Sequence, residues 1–142
     1  MIALVNERTE QIVASEVEVA GTRAARRRGL LGRDAIGAAS ALVLAPCWAV
    51  HTAFMRFAID VIFVSQEGRV VRVVTGIAPW RIVVAPGAYA AIELAAGAAG
   101  SRTVEVGDRL YARAGDGLSS ASSLFASPSF RRMAAKPACS GS

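Results

Sequence analysis

The segment Phe57-Ala-Ile-Asp-Val-Ile-Phe-Val constrains this chain more than any other. Phe57, Ile59, Val61 and Phe63 alternate with Ala58, Asp60, Ile62 and Val64, the two-residue period of a β-strand, yet both sets are mostly apolar. Gln66-Glu67-Gly68 offers a hairpin turn, and Arg69 to Val74 a returning strand. A strand pair apolar on both faces has to be covered on both sides or form one wall of a small closed barrel. The Asp60 carboxylate inside this strand must be paired, accept backbone hydrogen bonds or face a polar pocket, because a bare buried charge is costly. Arg56 is its natural partner by identity. Four residues along a strand span about 13 Å, however, so Arg56 and Asp60 should each meet groups on neighbouring strands rather than each other. Asp60 is therefore either a structural, turn-holding carboxylate or a ligand-binding one.

The remaining periodicity is also mainly that of strands. Residues 2–5 and 12–19 read as strands, the second with Val17 and Val19 against Glu16 and Glu18, so that one face is wet. Thr22 can cap a short helix through Arg23-Ala-Ala-Arg-Arg-Arg, with Gly29 ending it. Consecutive arginines fan around a helix and form no single binding face, so they read as a solvated face. Apolar runs at 41–45 and 48–57, then 80–84, 89–94 and 109–114, complete a mainly antiparallel count, with the Ala/Gly run 95–100 as a loop. The expectation is an α+β, mainly β fold: a small rolled antiparallel sheet or barrel with one or two short helices near the N-terminus. Residues 1–115 form the compact domain. Residues 116–142, rich in Ser, Ala, Gly and Pro, read as a flexible tail.

Composition excludes several classes. With 142 residues, 54% of them hydrophobic, and two cysteines, the chain suits one self-supporting core, without a disulfide framework or a separate cofactor domain. The net charge of +5 is partly carried by Arg131, Arg132 and Lys136, and residues 1–115 hold 13 basic against 10 acidic groups, too even for a nucleic-acid clamp. No specific nucleic-acid partner is expected. The uncharged stretch Ala35 to Met55 is long enough to span a bilayer, but its Ala, Gly, Ser, Thr, Pro46 and His51 gain little in hydrocarbon, so no membrane span is expected. The start lacks a basic, long apolar leader, and a cytoplasmic protein is the expectation.

Few residues can carry chemistry. His51 is the only histidine, available as a base but equally suited to a hydrogen-bonded core position. In one unbroken strand it would point away from Asp60, so a joint site requires a bulge or turn between them. One histidine and Cys47 lack the further ligands of a metal site, and Ala95 to Gly100 lacks the lysine of a phosphate cradle, so neither metal nor cofactor is expected. Pro79-Trp80-Arg81 offers either a stacking platform or a Trp80 packed on the barrel.

Taken together, Gly29-Leu-Leu-Gly-Arg33, His51-Thr-Ala-Phe-Met-Arg-Phe-Ala-Ile-Asp60, Gly68-Arg-Val70, Pro79-Trp-Arg81, Ile92-Glu93-Leu-Ala-Ala-Gly97 and Val106-Gly-Asp108 resemble the bacterial and archaeal family called domain of unknown function 192. The resemblance covers residues 15–113 and implies a small barrel-like fold with no established activity. Many members have a Trp-Met-Lys-Asn-Thr type of segment where this chain has Phe54 to Ala58, so no polar role passes to Phe57 and Ala58. Many are also exported, which would apply here only if the true start lay upstream. The signature positions are Arg56, Asp60, Glu93 and Asp108, with Glu93 and Asp108 implied as structural polar residues holding amides or ion pairs. Two functions follow. The first is a non-enzymatic module binding a small polar ligand or a peptide through His51, Arg56, Asp60 and Trp80. The second is a hydrolase-like enzyme with His51 as base, Asp60 orienting it and Arg56 stabilising negative charge.

Overall fold

The computed structural model describes residues 2–20, 22, 30 and 32–114. The tail from 116 onward, and the helix expected at 22–28 apart from Thr22, lie outside the described residues. The elements are β1 (Ile2–Asn6), β2 (Ile12–Ala14), β3 (Glu16–Ala20), β4 (Ser40–Leu44), β5 (Ala49–His51), β6 (Ile59–Val64), β7 (Val70–Ile77), β8 (Ile82–Val84), β9 (Ala90–Ala95), a single helical turn α1 (Ala98–Ser101) and β10 (Leu110–Ala114).

A five-stranded sheet of order β3-β4-β9-β6-β7 forms the centre, with the apolar strand β6 between β9 and β7. All six residues of β6 are buried, as a strand apolar on both faces requires. One face packs Ile62, Val64, Ile92 and Val43 against Leu4, Val13 and Leu110 of a three-stranded sheet, β10-β1-β2, and against Ala98 and Ala99 of α1. The other face packs Ile59, Val61, Phe63 and Leu44 against Val50, Met55, Ile77 and Val83, so that the two-stranded ribbon β5-β8 covers it. Three layers result. Covering by separate sheets replaces closure: β3 and β7 remain sheet edges and there is no closed barrel.

Other differences from the sequence reading have local causes. The expected strand 12–19 breaks at Ser15, where the amides of Ser15 and Glu16 both donate to the Ala39 carbonyl, and its two halves join different sheets. β3 and β4 are parallel, which needs a long crossover rather than a hairpin. The only helix among the described residues is α1, near their C-terminal end rather than the N-terminus. It forms within the stretch expected to be a plain loop, because a buried side chain described below organises its amides. The stretch 35–55 forms β4, β5 and turns, and no helix among the described residues is long and apolar enough to cross a membrane.

Candidate functional site: an aromatic end on the outer ribbon

Asp60 is fully buried in β6, on the face it shares with Ile62 and Val64. Its Oδ1 accepts the Gly76 amide at 2.8 Å, and its Oδ2 accepts the Gly97 and Ala99 amides, each at 3.0 Å. Gly76 lies where the β6–β7 register slips between Ile59 and Val61, so the carboxylate satisfies the amide of a bulge. Gly97 precedes α1. Both glycines have positive φ, 59° and 90°, a conformation that strains other residues. Asp60 thus fastens an edge-strand bulge and the only described helical turn to the central strand.

His51 lies on the other side of the central sheet. It ends β5 opposite Ile82, on the outer face of the ribbon, while its neighbour Val50 points into the core. The turn between His51 and Asp60 exists, but it places the two on either side of a sheet layer, and stacked sheets lie about 10 Å apart. No hydrogen bond joins them: all the bonds to Asp60 come from backbone amides, and His51 Nδ1 is buried without a hydrogen-bond partner among the described residues. Arg56 is largely exposed and pairs with the still more exposed Asp34 at 2.7 Å. The base, its orienting acid and the cation of a hydrolase are therefore not brought together.

The other signature carboxylates are also internal. Glu93 is buried in β9, between Leu42 and Val61 and on the sheet face opposite Asp60. Asp108 accepts Arg8 Nε at 2.6 Å, Asn6 Nδ2 at 2.8 Å and the Glu105 amide at 2.9 Å, tying the β1–β2 turn to the loop before β10. The Arg8 guanidinium, helped by the Glu105 amide and Asn6 against the opposing effect of burial, holds the Asp108 carboxyl at about 2. No group of three or more His, Cys, Asp or Glu side chains among the described residues is placed to hold a metal ion.

Trp80, like Arg56, is openly presented to solvent, and it has aromatic company. Its ring meets Phe54 edge to face, with centroids 4.6 Å apart. Phe54, Trp80 and Ile82 are 72%, 62% and 76% exposed, and Val84 follows on the same outer face as Ile82. Phe54 and Trp80 sit in the two adjacent loops at one end of the ribbon, and both have left-handed backbones, φ 64° and 66°. Large aromatic residues rarely occupy that region, which costs about 1–2 kcal/mol each.

Thr52 holds both loops in place. Its buried hydroxyl donates to the Ala78 carbonyl at 2.7 Å and accepts the Arg81 amide at 2.8 Å. Its own amide donates to the Arg81 carbonyl, and its carbonyl accepts the Trp80 and Met55 amides. Phe54 and Thr52 were not singled out from sequence as site residues. A threonine buried among loops and an aromatic exposed on a left-handed loop backbone leave no periodic trace.

A mainly β domain of three layers, with buried carboxylates bracing its central sheet and aromatic side chains at one end of an outer ribbon, is the class this geometry defines. The chain belongs to the domain of unknown function 192 family (DUF192, "Uncharacterized ACR"), which it matches over residues 4–112. No curated protein matches it. Two crystal structures have similar folds. One is a protein of unknown function from Novosphingobium aromaticivorans, with TM-score 0.67 and 21% identity over 77% of this chain and 81% of that one. The other, called a candidate transcription regulator, is from Sinorhizobium meliloti, with TM-score 0.69 and 18% identity over 78% of this chain and 91% of that one. At these identities the likeness is one of fold.

Proposed function

We propose that the protein is a non-enzymatic binding module whose contact surface is the aromatic end of the β5–β8 ribbon, centred on Phe54 and Trp80 with Ile82 and His51 beside them. The observation that carries this reading is the exposed edge-to-face pair at 4.6 Å, held by two left-handed residues on a buried threonine clamp. Strained backbone that persists only because its surroundings over-determine it concentrates at binding sites. The exposed side chains make an apolar patch on the order of 400 Å², within the range of the largest patch on a typical monomer, which is often functional. Of the residues expected to orient a small polar ligand, Asp60 is engaged with amides and Arg56 with Asp34. What remains suits a partner that offers an apolar face more than a small polar solute.

Trp48 and Trp80 are the chain's only tryptophans and sit at the two ends of the β5–β8 ribbon, so the part of the intrinsic fluorescence lost in Trp80→Asn reports on the aromatic end. The test is a fluorescence and thermal-shift screen of short peptides, sugars, nucleotides and lipid vesicles against the wild type and Trp80→Asn. A soluble ligand at 100 times its Kd should add about 2.7 kcal/mol, a rise in midpoint of roughly 10 °C. The reading requires a response that Trp80→Asn loses while keeping its fold. A response undiminished in the variant would place the site elsewhere.

A further inference from the structure

Resting on that reading, we infer that the partner of the aromatic end is the surface of an anionic lipid bilayer, with Phe54, Trp80 and Ile82 entering the headgroup region and arginines flanking them. Two independent features support this. The first is shape. Side chains 62–76% exposed protrude from the ends of adjacent loops and from the ribbon face, whereas residues lining a peptide groove are shielded by its walls. Trp and Phe are the side chains best suited to the headgroup boundary, and such contact needs neither a pocket nor a spanning helix.

The second feature is charge. Between Asp34 and Asp60, and again between Glu67 and Glu93, the sequence contains no acidic residue. The ribbon and its loops fall within these two stretches. Arg56 and Arg81 lie in the same two loops as the aromatic residues, and Arg72 reaches from β7 to the Val84 carbonyl of β8. Arg56 is already paired with Asp34 and Arg72 sits at the far, Val84 end of the ribbon, so Arg81 is the arginine beside the aromatic pair without an acidic partner among the described residues. Apart from Asp34, which Arg56 neutralises, the exposed acids lie elsewhere, as with Glu7, Glu16, Glu18 and Glu105 around β1–β3 and the loop before β10.

The same charges disfavour other occupants. A second copy meeting this end about a two-fold axis would bring a second Arg81 into the interface with no acidic residue there to pair it except Asp34, already engaged by Arg56. The chain's segment 116–142 carries Arg131, Arg132 and Lys136 against Asp116 alone, and so has the same sign.

The experiment uses the full chain with sucrose-loaded vesicles, either of phosphatidylcholine alone or with about a third phosphatidylglycerol, read by co-sedimentation and tryptophan emission. The wild type should bind the anionic vesicles with a blue shift, bind the neutral ones weakly, and lose affinity as salt rises. The double variant Phe54→Asn/Trp80→Asn should lose at least tenfold in affinity. Asn tolerates left-handed backbone, so the loops keep their shape. Arg81→Gln should lose about fivefold. Absence of anionic vesicle binding overturns the inference, as does binding by charge alone that the aromatic variants leave unchanged. Capture of a soluble peptide or oligonucleotide in a Trp80-dependent manner, with no vesicle binding, overturns the lipid assignment while the surface itself stands.

Discussion

Replacing Asp60 by Asn tests whether this carboxylate is the internal fastener the geometry describes. The native side chain accepts three amides, from Gly76, Gly97 and Ala99, and all three donors belong to segments with little other support: a bulge and a four-residue turn. An Asn amide oxygen in the Oδ2 position keeps the Gly97 and Ala99 bonds, but its NH₂ then faces the Gly76 N–H, donor against donor. The opposite rotamer leaves two amides unsatisfied instead of one. A buried unsatisfied donor costs about 1–3 kcal/mol, and two bonds to a charged acceptor become weaker bonds to a neutral one, so the expected loss is roughly 3–4 kcal/mol. For a domain of this size that lowers Tm by roughly 10–20 °C. Calorimetry with urea unfolding gives the number, and hydrogen exchange shows whether Gly97 and Ala99 lose protection first. A variant that melts within about 2 °C of the wild type would refute the argument, because it would mean that water or relaxed loops satisfy these amides as well as the carboxylate does.

Two further perturbations probe the rest of the scaffold. Thr52→Val keeps the volume but removes the hydroxyl that bridges the Ala78 carbonyl and the Arg81 amide; it should cost about 2 kcal/mol in urea unfolding and broaden the Trp80 environment in near-UV circular dichroism. For acid stability the sign follows from Asp108, held at about 2 in the folded protein against 3.8 ordinarily. A depressed folded value makes a contribution, at most about 2 kcal/mol, that is present above pH 4 and lost as pH falls from there through 2. Arg8→Gln should raise the Asp108 value and flatten that part of the stability profile, as followed by urea midpoints between pH 2 and 6.

The central hairpin was legible because a short apolar run rich in Val, Ile and Phe and closed by the Gln66-Glu67-Gly68 turn reads as a buried strand, and Phe57 to Val74 carried it. The need to satisfy a carboxylate within that strand was legible for the same reason; which donors satisfy it was not. Gly76 and Gly97 come from a bulge and a turn 16 and 37 residues onward, and only the folded register brings them to Asp60. The layered plan was hidden as well. The two-sided apolar pattern of β6 fits a barrel wall and a covered sheet alike, and what decides between them is the break at Ser15 and the separation of β5–β8 into its own ribbon. The site was half visible. Trp80 stood out beside Pro79 and Arg81, whereas Phe54 looked like another apolar residue in a buried run, because it sits exposed in a loop with a left-handed φ that sequence period does not encode.

The central claim is that Phe54 and Trp80 are kept outward for contact rather than for stability, and the thermal midpoint of Phe54→Asn/Trp80→Asn tests it most directly. Relieving two left-handed aromatic residues returns about 1–2 kcal/mol each, while losing their edge-to-face contact costs about 0.5–1.5 kcal/mol. The account predicts a midpoint equal to or a few degrees above that of the wild type, together with loss of the Trp80-dependent binding response. A midpoint many degrees lower would show that the pair holds the two loops together, and would contradict the claim.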